Sequence, residues 1–174
     1  TGVSKVLAGE PEALKEDEDF VPMIQKMQEL STILRERRGK RGSIDFDFPE
    51  TKIELNEKGK PINIKPYERN SATKIIEDFM LLANETVAEE YFWREVPFLY
   101  RTHEVPDEEK IKKLSTFINN FGYHIHMHDE VKPKEIQKLL SQVEGTPEEA
   151  LISRLTLRSM CQAKYTTENT GHFG

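Results

Sequence analysis

The stretch Arg37-Arg38-Gly39-Lys40-Arg41-Gly42-Ser43-Ile44-Asp45-Phe46-Asp47-Phe48 decides the fold class, because the hydrophobic period changes inside it. Upstream, Met23, Ile24, Met27, Leu30, Ile33 and Leu34 recur every three or four residues, the stripe of an amphipathic helix ending near Arg38-Gly39. Downstream, Ile44, Phe46 and Phe48 alternate with Ser43, Asp45 and Asp47, which predicts a half-buried strand. Ile53 and Leu55 begin a second strand, Asn56-Glu57-Lys58-Gly59 supplies turn chemistry, and Ile62 and Ile64 begin a third, giving a small antiparallel meander.

Working outward, Ser71 is placed to cap a long helix whose Ile75, Ile76, Phe79, Met80, Leu82, Ala83, Thr86 and Val87 cover more than one face. Such a helix is expected to be deeply buried. Pro97 ends it, Phe98 to Arg101 reads as a short core strand, and Pro106-Asp107 opens a helix carrying Ile111, Leu114, Phe117 and Ile118. Tyr123 to Met127 alternates again. Two more helices follow, one around Pro133 to Val143 and one from Thr146 to about Ala163. In the second, Thr146 and Glu149 are spaced as a capping box with Pro147 at the first helical position. No repeat or low-complexity linker interrupts the chain, so the expectation is one α+β unit of mixed helices with short antiparallel strands.

Composition narrows the function. A chain of 174 residues can bury roughly 70% of its unfolded surface. The net charge of −6 argues against clamping nucleic acid by bulk electrostatics, although four of those charges fall in the first twenty residues and leave room for a local basic groove. The one cysteine, Cys161, excludes a disulfide framework and fits a reducing cytoplasm. No apolar run approaches the roughly 20 residues that span a bilayer. The missing initiator Met and the stop at Gly171-His172-Phe173-Gly174 suggest an excerpt of a longer protein.

Several residues could carry chemistry. Arg35, Arg37, Arg38, Lys40 and Arg41 could hold a phosphate backbone, with glycines allowing close approach. Basic residues also favour the last turn of any helix, and spacing alone prefers that reading. His124, His126 and His128 would share one strand face, but side chains two apart lie roughly 6–7 Å from each other, too far for three to reach one ion at ~2 Å. A polar surface face is the better account. Glu77 and Asp78, inside the most apolar helix, need partners that are either structural or a ligand. Arg101 and His103 should lie together outside the apolar layer, as a phosphate site or as an ion pair with Glu77. No nucleophile elbow, Walker loop or dinucleotide fingerprint occurs, and Asp45 with Asp47 is a weak metal signal.

Four segments in order resemble the central part of the catalytic RNB domain of the ribonuclease II/ribonuclease R family, with the ribonuclease R branch nearer. They are Arg37 to Phe46, Ile75 to Asn84, Pro97 to Pro106, and Leu157 to Ala163 leading to Gly171 to Gly174. The resemblance implies a processive 3′-to-5′ exoribonuclease that threads single-stranded RNA into a channel and hydrolyses it to nucleoside monophosphates with Mg²⁺. It also implies that the metal-binding aspartates precede this chain and that the assisting arginine follows Gly174, so the segment alone should be inactive. By position in the motif, Phe46 resembles an aromatic that clamps bases, and Glu77 a carboxylate that reads a ribose hydroxyl. Arg101, His103, Arg158 and His172 fall in motif segments, as phosphate contacts or as support for the channel wall. Asp78 departs from a more usual glutamate. Expected partners are single-stranded RNA and the remainder of the domain. The alternatives are a non-catalytic RNA-binding or regulatory module, and an unrelated α+β protein holding zinc on the three histidines.

Overall fold

The computed structural model describes residues 2–10, 18–46, 48, 51–67, 69–126 and 130–174. Their elements run α1 (Gly2–Leu7), α2 (Val21–Arg41), β1 (Thr51–Leu55), β2 (Pro61–Pro66), α3 (Ser71–Trp93), β3 (Tyr100–Thr102), α4 (Glu108–Asn119), α5 (Pro133–Val143), α6 (Glu149–Ser159) and β4 (Lys164–Thr166). The α+β class expected from the changing periods is therefore present. The chain divides into two compact units, residues 1–36 with 47–84, and residues 37–46 with 85–174. Most of the acidic leading run (residues 11–17), together with Asp47, Met127 and His128, lies outside the described residues.

In the first unit β1 and β2 pair antiparallel, with Ile53 opposite Ile64 and Glu54 opposite Asn63. The turn forms as its residues demand: Asn56 Oδ1 accepts from the main-chain N–H of Lys58 and Lys60, and Gly59 takes φ 73°. Ile53, Leu55, Ile62 and Ile64 of this hairpin are all exposed. The predicted meander is thus a two-stranded hairpin. Residues 43–46 form no ladder, because an alternating sequence makes a strand only where a partner edge is available. On α2 the covered stripe is Ile24, Met27, Ser31 and Leu34, while Met23, Leu30 and Ile33 face outward.

The expected deep burial of α3 is not observed. Ile75 and Asp78 are its buried residues, and Ile76, Met80, Leu82 and Val87 are exposed. Apolar content says that a helix could be covered all round, whereas coverage depends on which elements are there to do it. Its cap is Asn70 rather than Ser71: Asn70 Oδ1 accepts from the Thr73 N–H, and the Asn70 N–H donates to Thr73 Oγ1.

In the second unit the core is a cluster of Ile111, Leu114, Ile118, Ile125, Val131, Ile136, Leu139, Val143, Ile152, Met160 and Phe173. Helix α6 packs against both α4 and α5. Each fully buried Ile or Leu is worth ~1.5–3 kcal/mol of transfer free energy. Helix α4 starts where the sequence predicted, with the Asp107 carboxylate accepting from the Lys110 N–H, and α5 carries Pro133 in its first turn. Helix α6 is shorter than predicted and lacks the capping box. The Thr146 hydroxyl donates back to Val143 O, and the Glu149 carboxylate accepts from the Gly145 N–H. Ending α6 at Ser159 frees Lys164–Thr166 to form β4, which pairs antiparallel with β3. Residues 123–126, predicted as a strand, are irregular.

Candidate nucleic-acid interface

Glu77 sits in the second turn of α3, half exposed. Asn70's cap fixes the chain just before the helix and so places Arg69, which forks onto the Glu77 carboxylate, Nε to Oε2 at 3.0 Å and a terminal nitrogen to Oε1 at 2.6 Å. The partner considered from sequence was Arg101. The structure supplies Arg69, a residue the sequence reading passed over, and its signal was an arginine eight positions before the carboxylate. A carboxylate offers about four lone-pair positions, so the fork leaves capacity to accept from a hydroxyl. Asp78, one residue on and therefore turned about 100° around the helix, goes inward instead. It is 1% exposed and accepts from the Ser31 hydroxyl at 2.5 Å and from Arg35 at 2.7 Å.

That last bond dissolves the five-cation clamp. Arg35 is committed to Asp78. In the second unit Arg41 pairs with Glu85 at 2.7 Å, Arg38 is half buried, and Arg37 and Lys40 are exposed on the last turns of α2. The basic cluster is a mixture of structural ion pairs and a solvated helix end.

The second unit brings three of the candidate residues together at β3. Tyr100 and Thr102 are buried and Arg101 is exposed between them, as alternation requires. Across the ladder stands Tyr165, 67% exposed, with the Arg101 guanidinium 5.8 Å from its ring centroid. His103 follows the strand and meets His172 in an isolated parallel bridge. The His103 N–H donates to Gly171 O at 3.0 Å, and the Phe173 N–H donates to His103 O at 2.8 Å. The His103 ring has Nδ1 2.7 Å from Phe173 O and Nε2 against Cys161 O, so both its nitrogens serve the main chain. The His172 ring, exposed, lies 5.5 Å from that of His103, with Nδ1 3.1 Å from Arg101 O. Beside this edge Lys164 bonds Glu104 at 2.6 Å, and that hydrogen bond and charge hold the ammonium above the ordinary lysine range.

Arg158 is exposed in the last turn of α6, where a cation also complements the helix dipole. Phe46 is half buried and packs, with Ile44, against the core of the second unit. Among the described residues no hydrogen bond or ring contact ties Arg158 to the β3 edge. Tyr165 was missed because a three-residue strand carries no periodicity.

Two of the three candidate histidines are described. His124 Nδ1 lies 2.8 Å from Asn119 Oδ1, His126 is exposed, and His128 lies outside the described residues. Among the described residues no group of three or more His, Cys, Asp or Glu side chains is placed to hold a metal ion. Among the same residues no helix is long and apolar enough to cross a membrane.

In the second unit an exposed arginine over a tyrosine with an adjacent imidazole, and in the first unit a forked carboxylate, are side-chain types able to contact phosphate, base or ribose hydroxyl without reading sequence. A model of the RNB domain matches residues 1–174. The chain belongs to the RNB domain family. Ribonuclease R of Aquifex aeolicus is 44% identical to it over 169 residues, which is 97% of this chain and 24% of that protein. Ribonuclease R of Thermotoga maritima is 42% identical over 166 residues, 95% of this chain and 23% of that one. RNase R of Mycoplasma genitalium, solved in complex with ribose methylated single-stranded RNA, matches this RNB chain with a TM-score of 0.82 at 28% identity, covering 90% of this chain and 25% of its own. The chain thus spans about a quarter of the length of these relatives.

Proposed function

We propose that this chain is the central section of a ribonuclease R-like 3′-to-5′ exoribonuclease of the cytoplasm, where it supplies channel wall and RNA contacts. The observation that carries the reading is the 44% identity to a Ribonuclease R over nearly the whole chain. In the complete protein the substrate is single-stranded RNA, released as nucleoside monophosphates. Mg²⁺ is held by residues outside this chain, so the segment alone does not cleave. Phe46 stacks on a base, and Glu77, aimed by Arg69, accepts from a ribose hydroxyl. Arg101, Arg158 and His172 face phosphate, with Tyr165 as a further base contact, and His103 supports them by holding residues 171–173 to β3. The exposed apolar residues of the hairpin and of α3 support the view that further parts of the same protein cover them.

The test is to incubate the longer protein carrying this chain with 5′-labelled single-stranded RNA and Mg²⁺. Stepwise shortening from the 3′ end is expected. Tight RNA binding without shortening would assign the protein instead to a non-catalytic RNA-binding module, and neither binding nor shortening would refute both readings.

A further inference from the structure

Residues 43–46, which carry Phe46, lie between the end of α2 and the hairpin without joining a ladder, so something other than strand pairing must hold them. Two contacts with α5 do so. The Gln137 side-chain amide donates to Gly39 O at 3.0 Å and to Ser43 O at 2.9 Å, using both hydrogens of one nitrogen. One acceptor is a carbonyl near the end of α2, and the other is the first carbonyl of the extended segment. Between them Gly42, buried at φ 106°, lets the chain pass so close to α5 that a Cβ there would stand 2.9 Å from Lys134 Cγ and 3.1 Å from Lys134 N. Three residues after Ser43, Phe46 leans on the core beside Ile44, half buried.

We propose that Gln137 is a positioning residue for RNA stacking: its two amide hydrogens lock the exit of α2 onto α5 and thereby set where the Phe46 ring stands. The inference rests on Phe46 stacking against a base, as proposed above. Gln137 need not touch RNA. Two hydrogen bonds from one planar amide fix position and direction, which hydrophobic contact, being non-directional, does not.

The experiment uses the complete protein with four variants: Gln137→Met, which keeps length and loses both donors, Phe46→Ala, the pair together, and Gln137→Glu. Single-stranded RNA affinity and a site-specific fluorinated phenylalanine at position 46, read by ¹⁹F NMR, are the two measurements. Gln137→Met is expected to weaken binding by about three- to tenfold and to move or broaden the residue-46 resonance. With Ala at position 46 the same change should alter affinity by less than about twofold. An equal loss in both backgrounds, or an unmoved resonance, would overturn the proposal. Phe46→Ala binding RNA as tightly as the parent would refute the stacking reading, while the NMR arm still judges Gln137. Should the Met variant not melt cooperatively, Gln137→Glu takes its place, since it keeps the length and, when protonated, one donor.

Discussion

Asp78 offers the sharpest test of what holds the first unit together. Its side chain is wholly buried, and its carboxylate accepts from the Ser31 hydroxyl at 2.5 Å and from the Arg35 guanidinium at 2.7 Å. Removing the cationic partner of a buried charge costs ~3–5 kcal/mol when both groups are sealed from water. Arg35 is 42% exposed, so solvent already screens part of the attraction and can enter where the guanidinium leaves. Arg35→Met is therefore expected to cost about 2–3 kcal/mol, and Ser31→Ala about 1.5–3 kcal/mol for a hydrogen bond to a charged group. Replacing the acceptor changes the arithmetic, because Asp78→Leu leaves no buried charge to satisfy. Arg35→Met in that background should then cost less than ~1 kcal/mol. The measurement is native-state hydrogen exchange of α2 and α3 amides in the longer protein, which reports local opening without assuming that the whole chain unfolds in one step. Equal costs for Arg35→Met with and without Asp78 would refute the network as the stabilising element.

Other outcomes follow from individual contacts. Gly42→Ala forces a side chain into a left-handed backbone and against the Lys134 main chain, and should destabilise by about 1–3 kcal/mol in thermal or denaturant melts. Glu77→Ala should narrow the preference for RNA over DNA at the 3′ end. Arg69→Met should narrow it less, because the carboxylate stays but loses the fork that aims it. Unchanged ratios in both would remove Glu77 from ribose recognition. Glu104→Gln should return the Lys164 ammonium toward its ordinary titration range, as followed by NMR. A lysine raised in the folded state keeps its paired stabilisation at neutral pH and loses it only as pH climbs through the folded value. Melting at pH 7 should therefore barely change, because both groups are exposed.

How far the fold could be read in advance depended on whether a signal was local. Helices α4 and α5 were legible because Asp107, Pro133 and the 111-114-118 spacing act within one or two turns, and Ile111, Leu114 and Ile118 are buried. Ile44, Phe46 and Phe48 had an equally clear alternation, yet a ladder needs a second edge, and Ser43 O finds the Gln137 amide, 94 positions on, instead. Thr146 and Glu149 had capping-box spacing, but each spends its side chain on another group one turn away. The same divide runs through the site. Glu77 and Asp78 could be flagged from composition, whereas which of them turns inward depends on Ser31 and Arg35, more than forty residues away. His103 and His172 are about seventy residues apart and meet only because β3 and the chain end run side by side. Arg101 shows why that meeting is specific. In a three-residue strand with Tyr100 and Thr102 buried, a slip of one position would turn the guanidinium into the core and both neighbours out, so burial of those two fixes the register that sets Arg101 opposite Tyr165. The exposed edge is thus a consequence of what its neighbours must hide.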